Sequence, residues 1–262
     1  MIKKHLKCTF LLFWLSIVIN PIHSQVKQSH SIVLGFLQLK EEANLGMVFN
    51  GIHLEYRYGL TWTIHDHEIT YQPKIGAGIA LKREPGGPST PDTHEIMKAI
   101  KFHIAPINVS WTMPFFEKNG HSIRGGANFI MHYNYQKYDD IHDGPLFWNA
   151  EIGFSPIINY GYQWNNKRIK LGLQNSLFGF TSHRQGYDPY IWLPTWKDYI
   201  LDPHKNLKFG SFNEYNHTNV SLEFVPNIFK IHSIVYEFDY LGYFKGIKFQ
   251  QINHNFIWRM SL

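Results

Sequence analysis

Cysteine is almost absent from this chain of 262 residues. The only one, Cys8, lies before an apolar run near the N-terminus. If the first 24 residues are removed on export, no cysteine is left in the remainder. This excludes disulfides, thiol catalysis and cysteine-ligated metals from the mature part of the chain.

The first 24 residues have the layout of a secretory signal peptide. Lysines at the start precede the apolar run 9–19, and the letters NPIHS supply a breaker and a small residue before Gln25. Because the run is too short for a comfortable membrane span, we expect cleavage near Gln25. An uncleaved membrane anchor is the alternative.

The net charge of the chain is also small once this segment is removed. The segment contains three of the 25 Lys and Arg and none of the 20 Asp and Glu, so the formal net charge falls from +5 to +2. The basic balance of the full chain therefore gives no indication of nucleic acid binding. An exported chain without cysteine, with 16% aromatic and 17% charged residues, indicates the envelope of a Gram-negative bacterium.

The mature chain also lacks helical apolar runs, low-complexity stretches and linkers. What recurs is an alternation of apolar and polar residues with a period of two, as in GIHLEYRYGLTW, residues 51–62. This period is typical of β-strands. The alternating segments are 30–38, 51–64, 68–82, 99–113, 122–136, 146–162, 167–180, 217–226, 230–242 and 247–261.

The connections between these ten segments alternate in length. HDHE, FFEKNGH, WNNKR and VPNIFK are short, whereas most of the connections between them are longer. An even strand number with short turns on one side is the pattern of outer-membrane barrels. We therefore predict an all-β, antiparallel up-and-down transmembrane β-barrel over residues 25–262, with about ten strands (roughly 8–12) and both termini on the periplasmic side.

The apolar side chains are expected to face outward. A ten-stranded barrel has a narrow interior that cannot hold some forty bulky apolar groups, whereas glycines and opposed charges fit. A soluble β-sandwich, which also alternates, is the alternative. Aromatic side chains near the predicted periplasmic strand ends form a belt of the kind that membrane interfaces favour. They are Trp62, Tyr71, Trp111, Tyr160, Tyr162 and Trp258.

The inward-facing positions carry charges of both signs. Because buried charges must pair, we interpret them as a network that fills and closes the lumen. A narrow water-filled pore lined by the same residues is the competing hypothesis. The residues are His53, Glu55, Arg57, Lys74, Arg124, Glu151, Lys170, Glu223, Glu237, Asp239 and Arg259.

Three prolines inside the alternating segments conflict with an unbroken ladder. Pro73, Pro106 and Pro156 each lack a backbone N–H, and strands tolerate proline only at bulges or ends. The alternation also changes phase near Pro106, which predicts a β-bulge there.

The C-terminal letters NFIWRMSL place Phe256, Trp258, Met260 and Leu262 on the outward face. In this feature the chain resembles the small outer-membrane β-barrel proteins of Gram-negative bacteria. The resemblance implies insertion by the barrel-assembly machinery, contact with outer-membrane lipid and lipopolysaccharide, and no cofactor.

The letters EYNHTNVSLEFVPN, residues 214–227, are similar to a motif of the lipid A deacylase family. These small barrels hydrolyse an acyl ester of lipopolysaccharide and carry His-x-Ser-Asn followed by Pro-Asn. His217 and the Pro-Asn pair match, but Asn219 stands where the family has its serine nucleophile.

Without that hydroxyl, His217 has no adjacent nucleophile to activate. Ser221 has the same parity but lies about 13 Å further along an extended strand. The catalytic candidates that remain are His217, Ser221 and Glu223.

Two clusters of acids and histidines are candidate metal sites. YDDIHDG, residues 138–144, has ligands suited to a cation, or to an omptin-like protease site, which this chain resembles in size and strand number. We interpret it as a solvated acidic loop. HDHE, residues 65–68, lacks a distant third ligand and is ordinary turn chemistry, so no metal site is predicted.

The segment 181–216 is unusually aromatic for a loop. A long loop with apolar content tends to be functional, so we predict that it caps the barrel or docks an extracellular ligand, glycolipid or envelope partner. Another hairpin, giving twelve strands, is the alternative. Its recognition residues would be Tyr190, Trp192, Trp196 and Tyr199.

Taken together, the sequence predicts a non-enzymatic structural, recognition or accessory component of the bacterial outer membrane. A lipid A acyl-ester hydrolase and a narrow pore are the alternative functions.

Overall fold

A computed structural model describes residues 25–41, 47–83, 96–138, 147–176, 178–183, 204, 207–211, 214–226, 232–244 and 248–261. These residues form antiparallel β-strands. Among them, no helix is long and apolar enough to cross a membrane. The strands are β1 (Gln25–Glu41), β2 (Val48–Ile64), β3 (His67–Tyr71), β4 (Lys74–Arg83), β5 (Ile96–Lys118), β6 (His121–Tyr138), β7 (Phe147–Trp164), β8 (Lys167–Asn175), β9 (Phe178–His183), β10 (Lys208–Ser211), β11 (Tyr215–Val225), β12 (His232–Tyr243) and β13 (Phe249–Ser261).

Three pairs of these segments each act as one strand of the barrel. β3 and β4 both pair with β2 and with β5, and β8 and β9 both pair with β7. The third pair is β10 and β11, which lie along β9 and β8 respectively. The described residues therefore form ten barrel strands, as the alternating segments predict.

The first and last strands close the barrel. β1 pairs with β13 from Ser29 opposite Ser261 to Glu41 opposite Phe249, and with β2 on its other side. Closure removes the two outer edges that an open sheet would have, so the backbone groups along β1 and β13 can pair without water. The predicted antiparallel barrel is confirmed.

Two-residue turns join β2 to β3, β5 to β6 and β7 to β8 at the end of the barrel that also holds both described chain ends, Gln25 and Ser261. We call it the turn end and the opposite end the loop end. Positive φ angles occur at His65, at Asn119 and Gly120, and at the two asparagines 165 and 166. Asn-Gly and Asn-Asn suit a type I′ turn, whose two central residues both need φ above zero. In outer-membrane barrels, such short turns and the termini face the periplasm.

Each of the three prolines lies at an interruption of the ladder. Pro73 stands between β3 and β4. A register shift between β5 and β6 brackets Pro106, which confirms the predicted bulge. Pro156 lies opposite the break between β8 and β9, where β7 changes partner. The missing backbone N–H groups therefore remove few hydrogen bonds between the barrel strands.

The outward face is apolar, as predicted. In β2, Leu54 is 59% exposed while its neighbours His53 and Glu55 are 3% and 4% exposed. The same alternation places Phe36 and Phe256 outward. A broad exposed apolar surface of this kind is stable only where lipid covers it.

The interior is not filled by charge alone, which corrects the predicted charge-filled lumen. Towards the loop end, inward-facing apolar side chains form a cluster in which no member is more than 4% exposed. We call it the lumenal plug. It consists of Leu37, Leu39, Phe49, Ala80, Ala99, Tyr138, Tyr215, Leu241, Tyr243 and Phe249.

Three histidines on the outer face, His30, His121 and His254, are hydrogen-bonded to tyrosines of the adjacent strand. Polar groups that face lipid need an internal partner, and a neighbouring phenol hydroxyl provides it. His254 lies between Phe36 and Phe238 in register, so its pair stands within the apolar surface. The ring Nδ1 to hydroxyl distances are 2.7 Å for His30 and Tyr56, 2.7 Å for His121 and Tyr160, and 2.8 Å for His254 and Tyr236.

We expect Tyr236→Phe to lower the free energy of unfolding of the barrel by about 1–2 kcal/mol, because His254 would lose its hydrogen bond. Urea titration of the protein in lipid vesicles, followed by tryptophan fluorescence, measures this change. Tyr162→Phe is the matched control, since the Tyr162 hydroxyl bonds to no described residue. Equal losses in the two variants would contradict the prediction.

Candidate functional site

The predicted lumenal charges lie on the inward side of the barrel at two levels. His53, Glu55, Arg57, Glu151, Glu237 and Asp239 are buried halfway along it. Lys74 lies next to this level, in register with Arg57. Arg124, Lys170, Glu223 and Arg259 lie nearer the turn end.

Arg57 is the centre of the first buried group. Its guanidinium donates two parallel hydrogen bonds to the Glu237 carboxylate, at 2.8 and 2.7 Å, and its Nε donates to Glu55. Glu55 also bonds His103, and Asn255 donates to Glu237 at 2.8 Å. The Arg57 guanidinium thus links β2 to β12, two strands that are far apart in the sequence.

His217 is the centre of the second buried group. Its Nδ1 lies 3.0 Å from Glu151 Oε2, and its Nε2 lies 2.8 Å from Asp239 Oδ1. Ionised carboxylates only accept hydrogen bonds, so both ring nitrogens must donate, which requires the imidazolium form. Asn253 donates to the second oxygen of Asp239 at 3.0 Å.

The two groups form one polar layer beneath the plug. Glu237 and Asp239 belong to the same face of β12, and the His132 ring lies 5.9 Å from His103 and 6.3 Å from His217 between ring centres. Lys101 is also buried at this level, 1% exposed. The layer is therefore continuous from β2 to β12 around the interior.

The sequence analysis missed Lys101 and His103 as members of this layer. Both precede the bulge at Pro106, and the change of phase there obscured which parity of that segment faces inward. Without the residues beyond the bulge, the alternation of Lys101, His103 and Ala105 indicates that these three side chains share one face of the strand.

Closer to the turn end the ion pairs are partly exposed. Arg259 Nη1 bonds Glu223 Oε1 at 2.9 Å, and the Ser233 hydroxyl donates to the same oxygen at 2.7 Å. Arg124 donates to the backbone carbonyl of Asp66 at 2.7 Å and lies 3.6 Å from Glu68.

A polar cavity of about 360 Å³ occupies the interior between the polar layer and the turn end. Its inner wall includes His217, Glu237 and Asp239. Lys27 and Ser261, near the chain ends, also line it, so it opens at the turn end. The plug lies on the other side of the polar layer.

The three catalytic candidates do not assemble into a nucleophile and a base. His217 uses both ring nitrogens on carboxylates, and no hydrogen bond joins it to Ser221. Glu223 is occupied by Arg259 and Ser233. A histidine that is doubly engaged by carboxylates has no free nitrogen with which to take a proton from a hydroxyl.

The predicted aromatic belt lies at the turn end of the outer surface. Trp111 and Trp258 are exposed, and each stacks against a histidine, His67 and His232 respectively, with ring centres 5.6 Å apart. Tyr160 and Tyr162 are also exposed, whereas Trp62 and Tyr71 are half-buried.

Several predicted features lie outside the described residues. They are residues 1–24, residues 139–144 of the acidic loop, Asn227 and the aromatic loop residues Tyr190, Trp192, Trp196 and Tyr199. Of HDHE, His65 and Asp66 form an exposed turn. Within the described part of the chain, no group of three His, Cys, Asp or Glu side chains is arranged to hold a metal ion.

Comparison with known proteins finds similarity in fold and not in sequence. No family model matches the chain, and no curated protein matches it significantly. The structure of the outer membrane protease OmpT from Escherichia coli superposes with a TM-score of 0.54 at 10% identity, covering 90% of this chain and 95% of that one. The chain therefore has the fold of an outer-membrane β-barrel.

Two other solved barrels are less similar. The β domain of the Bordetella autotransporter BrkA gives a TM-score of 0.40 at 7% identity, covering 91% of this chain and all (100%) of that one. Neisserial surface protein A gives 0.34 at 10% identity, covering 89% and 96%.

We expect Arg57→Met to lower the free energy of unfolding by about 3–5 kcal/mol, because Glu55 and Glu237 would be left buried without their cation. Arg259→Met is the matched control: its side chain is 24% exposed, so the loss should be less than half as large. Urea titration in lipid vesicles compares the two variants. A loss for Arg57→Met no larger than that for Arg259→Met would refute the central role of Arg57.

Proposed function

We propose that this protein is a closed, non-conducting barrel of the bacterial outer membrane with a non-enzymatic structural, recognition or accessory role. The observation that supports the proposal is the lumenal plug, whose ten side chains are almost completely buried inside the barrel. Apolar constrictions exclude water and ions. The polar layer beneath the plug adds a second barrier, because Arg57 and His217 already bond the carboxylates of Glu55, Glu237, Glu151 and Asp239.

Delivery to the membrane is part of the same proposal. Residues 1–24 would act as a signal peptide cleaved near Gln25, and the barrel-assembly machinery would insert the mature chain among outer-membrane lipids and lipopolysaccharide. Residues Tyr190, Trp192, Trp196 and Tyr199 of the loop 181–216 would contact an extracellular ligand or envelope partner. Aromatic side chains are common at such contacts.

The alternative as a lipid A acyl-ester hydrolase is not favoured. Ester hydrolysis through a serine needs a histidine nitrogen free to accept the hydroxyl proton. Both nitrogens of His217 bond to carboxylates, and the plug separates His217 from the loop end, where lipopolysaccharide lies in an outer membrane. The protease named in the OmpT comparison is similar in fold alone.

In planar lipid bilayers we expect the purified mature protein to show no stable conductance. The double variant Phe49→Ala and Leu241→Ala should introduce openings, because it removes bulk from the plug. Leu54→Ala with Phe256→Ala is the control, since both side chains face outward. Sizeable stable conductance of the unmodified protein would reject the closed-barrel proposal.

Mass spectrometry of lipid A separates the structural role from the hydrolase. Cells with and without the protein should have the same acyl-chain composition, and His217→Gln should not alter it. Loss of one acyl chain only in cells that carry unmodified His217 would support the enzyme instead.

A further inference from the structure

The turn-end cavity is a site that the proposed barrel function does not use. We infer that it binds a small soluble anion, carrying a phosphate or carboxylate group, that enters from the periplasmic end. The inference goes beyond the closed-barrel proposal, and only the route by which the ligand enters rests on the plug. It rests on which charged groups around the cavity form direct hydrogen bonds or ion pairs with one another and which do not.

The carboxylates that line the cavity are all engaged. Glu237 accepts from Arg57 and Asn255, and Asp239 accepts from His217 and Asn253. The two that lie closer to the turn end, Glu223 and Glu68, have arginine partners at 2.9 and 3.6 Å respectively. A cationic ligand would therefore have to displace a protein cation from each carboxylate that it approached.

The lysines that line the cavity differ from these carboxylates. Among the described residues, none forms a hydrogen bond or an ion pair within 4.0 Å with the ammonium group of Lys74, Lys170 or Lys27. Lys170 is opposite Glu223 in register and interacts with it electrostatically, but the direct ion pair of Glu223 is with Arg259. Each ammonium group has three donors available for a ligand.

Lys74 has the position best suited to hold the anion. It begins β4, directly opposite Arg57 in register, and its side chain is half-buried between the polar layer and the turn end. A partly dehydrated ammonium group binds an anion more strongly than an exposed one, because water screens it less. Lys27, which is exposed near the chain end, would attract the anion to the opening.

Uncharged polar groups give the cavity a second recognition surface. Asn128, Asn159 and Gln174 line it from β6, β7 and β8. Within the described part of the chain, their side-chain amides make no hydrogen bond, although Asn128 is only 3% exposed. Such amides can bond the hydroxyl or carbonyl groups of an organic anion.

The size of the cavity and its opening at the turn end restrict the ligand further. A volume of about 360 Å³ is at the lower end for small-molecule sites. The plug blocks the other end of the barrel, so the ligand would enter and leave through the turn end. This favours a small water-soluble molecule over a lipid headgroup, whose acyl chains would have to remain in the membrane outside the wall.

Isothermal titration of the full mature protein in detergent tests the inference. The probes are glycerol 3-phosphate, citrate and inorganic phosphate, with glycerol as the neutral comparison and vesicles of phosphatidylglycerol as the lipid comparison. We expect saturable binding of at least one soluble anion, weakened by added salt, and no binding of glycerol. Binding of the vesicle headgroup without any soluble anion would overturn the assignment to a soluble ligand.

Lys74→Met should weaken anion binding about tenfold or more, since it removes a charge-assisted hydrogen bond. Lys74→Arg should retain most of it. Lys118→Met is the matched control, because Lys118 is exposed at a turn and does not line the cavity. Heat-dependent mobility on gels checks that each variant folds.

Undiminished affinity in folded Lys74→Met, or no binding of any soluble anion to the unmodified protein, would overturn the inference. Neither result would affect the closed-barrel proposal, which conductance measurements test separately.

Discussion

The pairing of β1 with β13 is the constraint on which the rest of this structure depends. Thirteen residue pairs, from Ser29–Ser261 to Glu41–Phe249, join the two ends of the chain and leave every barrel strand with two neighbours. In a lipid environment an unpaired strand edge is very costly, so only closure lets an apolar outer face be stable. Closure then forces every second side chain into a narrow interior, where charges must find partners without much water.

The interior meets this requirement in three levels. Apolar side chains such as Phe49 and Leu241 fill the loop end, and the polar layer built on Arg57 and His217 spans the middle. The turn-end cavity keeps its lysines and amides near water. Because Arg57 and His217 each bond two carboxylates, the middle level links strands across the barrel interior.

Much of the fold follows from local patterns in the sequence. The period of two places Leu54 outward and Glu55 inward, Asn119-Gly120 specifies a tight turn, and the phase change at Pro106 marks a bulge. Each depends on a few adjacent residues. The plug was not predicted because its inward positions share the parity of the charged ones: Leu241, for example, lies two positions from Asp239, and alternation alone does not distinguish the ends of a strand.

What the sequence by itself determined is the class of fold, the direction of its faces and the position of its short turns, since these depend on backbone geometry over a few residues. Only the tertiary structure determined which buried charged side chains bond one another. Arg57 and Glu237 are 180 positions apart, and His217 meets Glu151 and Asp239 from three different strands. Which inward side chains share a level depends on the register of ten staggered strands and on closure, and a one-residue shift in any register would separate them.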